Sequence, residues 1–393
     1  MQSVPRVAFF ADSFHEVNGV ALTSRQLVAF ARRRNLPLLS VHAGSATNVK
    51  SDGCITTLEL GRGPASLAVD DSLRFDPLLW RYMRRASKEL KQFKPSVIHV
   101  TGPSDVGILG ASLAYHMNIP LVASWHSNLH EFAARRLSKL LDFMPDTYRK
   151  LAASLTQRHT LDGMALFYKI AGVLLAPNPD LIEMLRARTS KPVFLMQRGV
   201  DTELFNPNKR YRQDGAFTLG YVGRLRPEKN VRFLAELERQ LPDGNHRFLI
   251  VGEGSERAWL QRNLRRAEFT GVLEGDSLAR AYANMDLFVF PSTTDTFGSA
   301  IQEALASGVC AVVTNEGGPK FLVQGGVTGH VAINNRDFIR GVIDIMSDAE
   351  KHRRMRTQAR EAACEASWDN VFENVYSAYE TCISLPESLR KAG

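Results

Sequence analysis

Little in this sequence can cross-link the chain, span a membrane or hold a metal. Its four cysteines, Cys54, Cys310, Cys364 and Cys382, are far apart and form no CxxC pair. That excludes a zinc ribbon and a thioredoxin-like motif, and reduced thiols are expected. No apolar run reaches the roughly 18–20 residues that a bilayer span requires. The best candidate, GMALFYKIAGVLLAP, is short and interrupted by Lys169. The N-terminal MQSVPRVAFFADSF has a brief apolar stretch that ends at Asp12, which reads as a first strand and not as a secretory leader. A cytoplasmic protein is expected. Low-complexity tracts are missing, and a hydrophobic share of 44% with 23% charged residues excludes extensive disorder. GxxxxGK[ST] does not occur, so an ATP-type phosphate loop is excluded, and the first strand–turn–helix lacks GxGxxG, which counts against an NAD site.

What is there is length and alternation. A chain of 393 residues suggests about two domains. In the first half, VPRVAFFAD, LPLLSVHA, SVIHVTG and PLVASWH read as strands. VALTSRQLVAFARRR has helical spacing, with Val20, Leu27, Val28 and Ala31 able to share a face. In the second half, FTLGYVGRL, HRFLIVGEG, DLFVFPS and VCAVVTN read as strands, and NVRFLAELERQL, SERAWLQRNLRRA and SAIQEALASG as helices. Strand runs that are apolar throughout fit parallel sheets covered on both faces. The expected fold class is therefore α/β, with two Rossmann-like domains facing a cleft. QRGVDTELFNPNKRYRQDG breaks the alternation, so the domains are placed at 1–198 and 199–367. The last helix-like stretch, about 368–393, either closes the second domain or packs back on the first.

Charge is uneven. Residues 1–200 carry 25 Lys+Arg against 15 Asp+Glu, whereas the rest of the chain carries 24 against 26. The basic half could meet nucleic acid, an anionic membrane or a phosphorylated substrate, or could serve solubility alone. Aromatic residues are not interleaved with the clusters RRRN (32–35), RRAS (84–87) and RRLSK (135–139), so no nucleic-acid partner is expected.

Open α/β sheets bind ligands beyond the carboxyl ends of their strands, and four segments there carry candidate chemistry. In GRLRPEKN, Arg224 follows a strand and Lys229 stands at an expected helix start, a pairing suited to a diphosphate. In TDTFGSAIQEALASG, Asp295 lies in a loop, Phe297, Gly298 and Ser299 open a helix, and Glu303 lies on it. Two such carboxylates can grip separate parts of one extended ligand. Taken singly, Asp295 reads sooner as a helix cap and Glu303 sooner as a solvated helix position. In SWHSNLHEF, His126 ends a strand, where it can hydrogen-bond a reacting sugar or a leaving phosphate. His130 four residues on suggests a metal pair, but HSNLH lacks the central Glu of HExxH, and no metal is expected. In EVNGV, Asn18 and Gly19 occupy a phosphate-loop position.

In order along the chain, RGVDTELFNP, GYVGRLRPEKN, FLIVGEGSE, PSTTDTFGSAIQEALASG and GGVTGHVA resemble the retaining glycosyltransferases of family 4, of GT-B fold. The resemblance spans nearly the whole chain and is strongest over 217–329. It implies that Arg224 and Lys229 bind the donor diphosphate and stabilise it as leaving group, and that Glu303 holds the ribose. It further implies that Asp295 contacts the donor sugar, that Phe297, Gly298 and Ser299 lend backbone groups, that Gly19 lies against the diphosphate, and that His126 contacts the sugar near its reacting carbon. The first acidic position, more often Glu in the family, is Asp295 here. TDTFG is similar to the bacterial α-mannosyltransferases that use GDP-mannose, although Ser299 stands where Asn is usual there and NEGGPK places Pro-Lys after the glycines. The implied activity is transfer of a hexose, mannose from GDP-mannose, to a lipid-linked or glycan acceptor with retention. A UDP-sugar such as UDP-glucose is the alternative donor, and a non-catalytic nucleotide-sugar or nucleic-acid binder the remote one. No cofactor is implied, and the acceptor would explain peripheral contact of the basic half with an anionic membrane.

Overall fold

The computed structural model describes residues 4–16, 18–64, 66–70, 73–126, 161–295 and 297–386. The chain divides into two compact units, Met1–Gln197 together with Phe372–Gly393, and Arg198–Val371.

The first unit is built on β1 (Val7–Ala11), β2 (Leu38–Gly44), β3 (Asn48–Asp52), β4 (Ile55–Gly61), the hairpin β5 (Leu67–Asp70) and β6 (Leu73–Phe75), β7 (Val97–Val100), β8 (Leu121–Ser124), β9 (Val173–Ala176) and β10 (Val193–Leu195). The main sheet runs β10-β9-β8-β7-β1-β2-β4-β3 and is parallel except at its β3 edge. All five residues of β1 and all four of β7, β8 and β9 are buried. These strands are apolar in sequence because helices cover both faces. The helices include α1 (Gly19–Arg33), α2 (Met83–Phe93), α3 (Asp105–Met117) and α4 (Pro179–Thr189).

Two features were not read from the sequence. GMALFYKIAGVLLAP is two elements: residues through 169 are helical, a turn follows, and β9 takes the apolar remainder. β3 was unexpected because NVKSD is exposed throughout; as a polar edge strand it carries no apolar pattern to read and shields the sheet from further pairing.

The second unit contains β11 (Phe217–Val222), β12 (His246–Val251), β13 (Ala267–Gly271), β14 (Leu287–Phe290), β15 (Cys310–Thr314) and β16 (Gly329–Ala332). Their order, β13-β12-β11-β14-β15-β16, is parallel throughout and is that of a Rossmann sheet. Between the strands lie α5 (Phe233–Gln240), α6 (Arg257–Asn263), α7 (Gly275–Ala283) and α8 (Ser299–Ala306), followed by α9 (Asn335–Ser347) and α10 (Ala349–Glu365). SERAWLQRNLRRA is not one helix. α6 stops at Asn263, and AEFTG becomes the edge strand β13, half-buried and therefore weakly patterned.

The last helix, α11 (Trp368–Ser384), belongs from Phe372 onward to the first unit. There Phe372 and Tyr376 pack on Phe30 at ring separations of 5.5 and 5.8 Å, and Cys382 Sγ donates to the Leu121 carbonyl.

Candidate active site

The strand order of the second unit reverses between β11 and β14, and a crevice opens at such a switch point. The two loops leaving these strands carry most of the residues singled out in the sequence. The loop after β11 is anchored by Leu225 N–H donating to Glu253 O at 2.8 Å. A Cβ on Gly252 would collide with the Gly223 carbonyl, so GEG lies directly against GRL. Lys229 ends a 3-10 turn, Pro227–Lys229, and α5 begins only at Phe233. The expected helix N-terminus at Lys229 is thus corrected: positive potential here comes from side chains. Arg224 is 59% exposed, with Nη2 4.0 Å from Glu228. Lys229 Nζ donates to Asp295 Oδ1 at 2.5 Å, and both side chains are mostly shielded.

Asp295 does not cap a helix. The residue preceding α8 is Gly298, at φ +99°, with no side-chain cap. That left-handed conformation favours glycine, and it leaves the first N–H groups of α8 without a side-chain acceptor. The Asp295 carbonyl accepts from Gly318 N–H at 2.7 Å. Its Oδ2 is buried and has no hydrogen-bond partner among the described residues. Phe297 is buried below this turn, and the Arg198 guanidinium sits 5.7 Å from its ring centroid while donating to Ser299 Oγ at 3.3 Å. Burial lowers the Arg198 pKa to about 10, partly opposed by Asp295.

Glu303, on the second turn of α8, is not a solvated position. It is half-buried and accepts from the Tyr282 hydroxyl at 2.8 Å. Desolvation raises its pKa to about 7, which the Tyr282 hydrogen bond partly offsets.

In the first unit the strand order reverses between β1 and β7. Gly19 is the first residue of α1, whose cap Asn18 accepts from Ala21 N–H at 2.8 Å. The first turn holds no acidic residue, so nothing there offsets the positive end of the helix. Asp12, after β1, accepts from Ser104 Oγ at 2.5 Å, and burial pushes its pKa up to about 7. His126 follows β8 and lies 2.8 Å through Nε2 from Ser124 Oγ. Ser124 Oγ in turn meets His99 Nε2 at 2.9 Å, and His99 Nδ1 meets the Tyr379 hydroxyl at 2.7 Å. His130 and the cluster at 135–139 lie outside the described residues.

Sequence reading missed several of these participants. Arg198 was quoted only within a motif, and Tyr282, His99, Ser124 and Tyr379 carry no local signal. It also missed His15, His42 and Glu59, whose ligand atoms lie within 4.8 Å of one another. This is the one group of metal-ligand type among the described residues. His15 Nε2 and Glu59 Oε1 are 3.7 Å apart, and His42 is stacked on Phe14 at 4.0 Å.

Comparison with known proteins gives these sites a context. Residues 51–204 match glycosyltransferase family 4, and residues 203–362 match glycosyl transferases group 1. A GDP-mannose-dependent alpha-mannosyltransferase of Corynebacterium glutamicum is 29% identical over 396 residues, covering 98% of this chain and 91% of that protein. A protein of the same name from Mycobacterium tuberculosis is 33% identical over 304 residues, 75% of each chain. Among solved structures, sucrose-phosphate synthase from Thermosynechococcus elongatus has a TM-score of 0.69 at 17% identity, covering 95% of this chain and 98% of its own. Anabaena HepE, solved with UDP and glucose, gives 0.62 at 15% identity, covering 97% and 100%. These two likenesses concern the fold. With both halves matched and a relative at 33% identity across three quarters of each chain, this chain belongs to the family 4 glycosyltransferases and has the GT-B fold.

Proposed function

We propose that the enzyme transfers mannose from GDP-mannose, with retention, to a lipid-linked or glycan acceptor, and that it does so without a metal. The observation that carries the sugar contact is Asp295. Its Oδ1 is held by Lys229 while its buried Oδ2 has no partner among the described residues. A buried carboxylate oxygen in that state costs about 1–3 kcal/mol, and a sugar hydroxyl donating to it would remove the cost. The mannosyltransferase names of the relatives support the choice of donor.

In this reading Arg224 and Lys229 bind the diphosphate and stabilise the charge that develops as it leaves. Exposed Arg224 can fork onto two phosphate oxygens. Lys229, pinned by Asp295, couples the phosphate subsite to the sugar subsite. The N–H groups of Ser299 and its neighbours at the start of α8 add partial positive charge, and in this reading those of Gly19 at α1 do the same from the first unit. Glu303 accepts the ribose hydroxyls, and His126 meets the sugar near its reacting carbon. Retention follows if the acceptor attacks from the face that the phosphate leaves, with a phosphate oxygen taking its proton.

The acceptor side supports a peripheral site on the cytoplasmic face of an anionic membrane. On α2, Ala86 and Leu90 are buried while Arg84, Arg85, Lys88 and Lys91 are exposed. Trp80 and Leu78 just before it are 50% and 59% exposed. Cations beside exposed apolar side chains fit an anionic lipid surface. Equal sedimentation with neutral and anionic vesicles at low salt would rule this out.

Thermal stabilisation by nucleotides tests the donor assignment, because a ligand of the folded state raises apparent stability with the logarithm of its concentration over Kd. GDP and GDP-mannose are expected to raise Tm selectively, and Arg224→Ala to abolish the rise. A selective rise with UDP and UDP-glucose would replace the donor and leave the enzyme class intact.

A further inference from the structure

We propose that Tyr379, His99 and Ser124 form a one-way hydrogen-bond chain that holds His126 as its Nδ1-protonated tautomer, which makes the three of them positioning residues for sugar transfer. This rests on the reading of His126 as the residue that meets the donor sugar. The geometry is three successive contacts of 2.7, 2.9 and 2.8 Å, and Tyr379, His99 and Ser124 are all fully buried.

The direction of the chain follows from the hydroxyl at its far end. Burial pushes the Tyr379 pKa well above its ordinary value, so its O–H proton is present. Among the described residues its hydrogen-bond partner is His99 Nδ1. A tyrosine hydroxyl can accept as well as donate, but if His99 Nδ1 carried a proton the Tyr379 O–H would point at no acceptor. A buried donor left in that state is the costlier arrangement. His99 Nδ1 therefore accepts. Desolvation drives the His99 pKa down to about 3, so the ring is neutral and carries its single proton on Nε2. That proton goes to Ser124 Oγ. Among the described residues the Ser124 hydroxyl has two partners, His99 and His126; having accepted from the first, it donates to the second. His126 Nε2 is the acceptor, and the proton of the neutral His126 ring stands on Nδ1.

The consequence for chemistry is specific. Nε2 of His126 is committed to Ser124 as an acceptor, so His126 does not act as an Nε2 base. Adding a proton at Nε2 would leave the Ser124 hydroxyl without an acceptor or reverse every bond in the chain. Its anchor, Tyr379, comes from α11, so the C-terminal helix is wired to the residue that ends β8.

Long-range proton–nitrogen NMR on enzyme labelled with 15N-histidine reads the tautomer directly, with His126 assigned by the signal lost in His126→Gln. The expected wild-type pattern is a protonated Nδ1 and an unprotonated Nε2. In Tyr379→Phe, which removes one oxygen, both tautomers should appear, and kcat should fall by about tenfold, the scale of one buried hydrogen bond, with the Kd for GDP unchanged. Ser124→Ala should act in the same way and serves if Tyr379→Phe is poorly folded. A protonated Nε2 in the wild type, an unchanged tautomer in both variants, or an unchanged kcat would each overturn the proposal. Failure of the wild type to transfer mannose or glucose would instead count against the assigned activity, because the tautomer is read without turnover.

Discussion

Donor affinity should rise with pH across the neutral range, and Glu303 should be the reason. Its carboxyl is half-buried on α8 and its pKa is raised to about 7, so it is protonated below that point and ionised above it. The ionised fraction is about one tenth at pH 6 and about nine tenths at pH 8. If ribose hydroxyls donate mainly to the carboxylate, affinity improves by up to about ninefold over that interval, or about 1.3 kcal/mol. The effect on folding has the opposite sense. A carboxyl whose folded pKa lies above its ordinary value favours the fold most at low pH, and this contribution is lost as pH rises through about 7. GDP-mannose is the ligand to use in calorimetry at pH 6, 7 and 8, because the terminal phosphate of GDP itself titrates near pH 6. Glu303→Gln keeps the shape and can still accept from Tyr282, so its affinity should be flat with pH and about tenfold weaker than wild type at pH 8. Tyr282→Phe removes a hydrogen bond that favours the carboxylate and should move the midpoint higher. A flat wild-type profile, or an equal slope in Glu303→Gln, would refute the reasoning.

Four further outcomes follow from the same geometry. Lys229→Ala should lower kcat/KM by about 10²–10³-fold if Lys229 binds the diphosphate as proposed, and it also releases Asp295 Oδ1; steady-state kinetics check it. Gly298→Ala should cost about 1–3 kcal/mol in urea unfolding, because φ is +99° and a Cβ would lie 2.9 Å from Ile301 Cδ1. Asp12→Asn should flatten the decline in stability between pH 5 and pH 8, because burial raises the Asp12 pKa to about 7 and the folded state resists its ionisation; unfolding at the two pH values measures it. Transfer should persist within about twofold in EDTA if Arg224, Lys229 and the helix N-termini supply the charge that a metal would otherwise provide.

The fold was legible wherever burial is two-sided. β1, β7, β8, β11, β12, β14 and β15 are short runs that are apolar almost throughout, and each was read near its observed limits. The same physics hid the edges. β13 is half-buried and β3 exposed, so neither imposes a pattern. The helix before β13 was carried through to Ala267 because LRRA consists of good helix formers, and EFTG after it was not read as a strand. The start of α5 was placed too early because Pro227 and Glu228 look like a first helical turn. In the structure they form a 3-10 turn that ends at Asn230 in the left-handed region, at φ +52°.

Within the candidate site, legibility followed distance along the chain. Arg224, Lys229, Asp295 and Glu303 stand in loops and a helix start whose residue types announce phosphate and hydroxyl chemistry. What the sequence could not supply is what each of them leans on. Asp295 and Lys229 are 66 residues apart yet bonded, Tyr282 reaches Glu303 across 21, and Tyr379 reaches His99 across 280. Tyrosine and histidine in apolar runs such as SVIHVTG and NVYSAYETC read as core, because in sequence nothing separates a core ring from a ring with a buried partner. The distinction is made by the partner's own need. A buried hydroxyl must find an acceptor and a neutral imidazole offers one nitrogen of each kind, so residues invisible in the sequence, such as Tyr282, Ser124 and His99, are hydrogen-bonded directly or through one another to residues the sequence reveals.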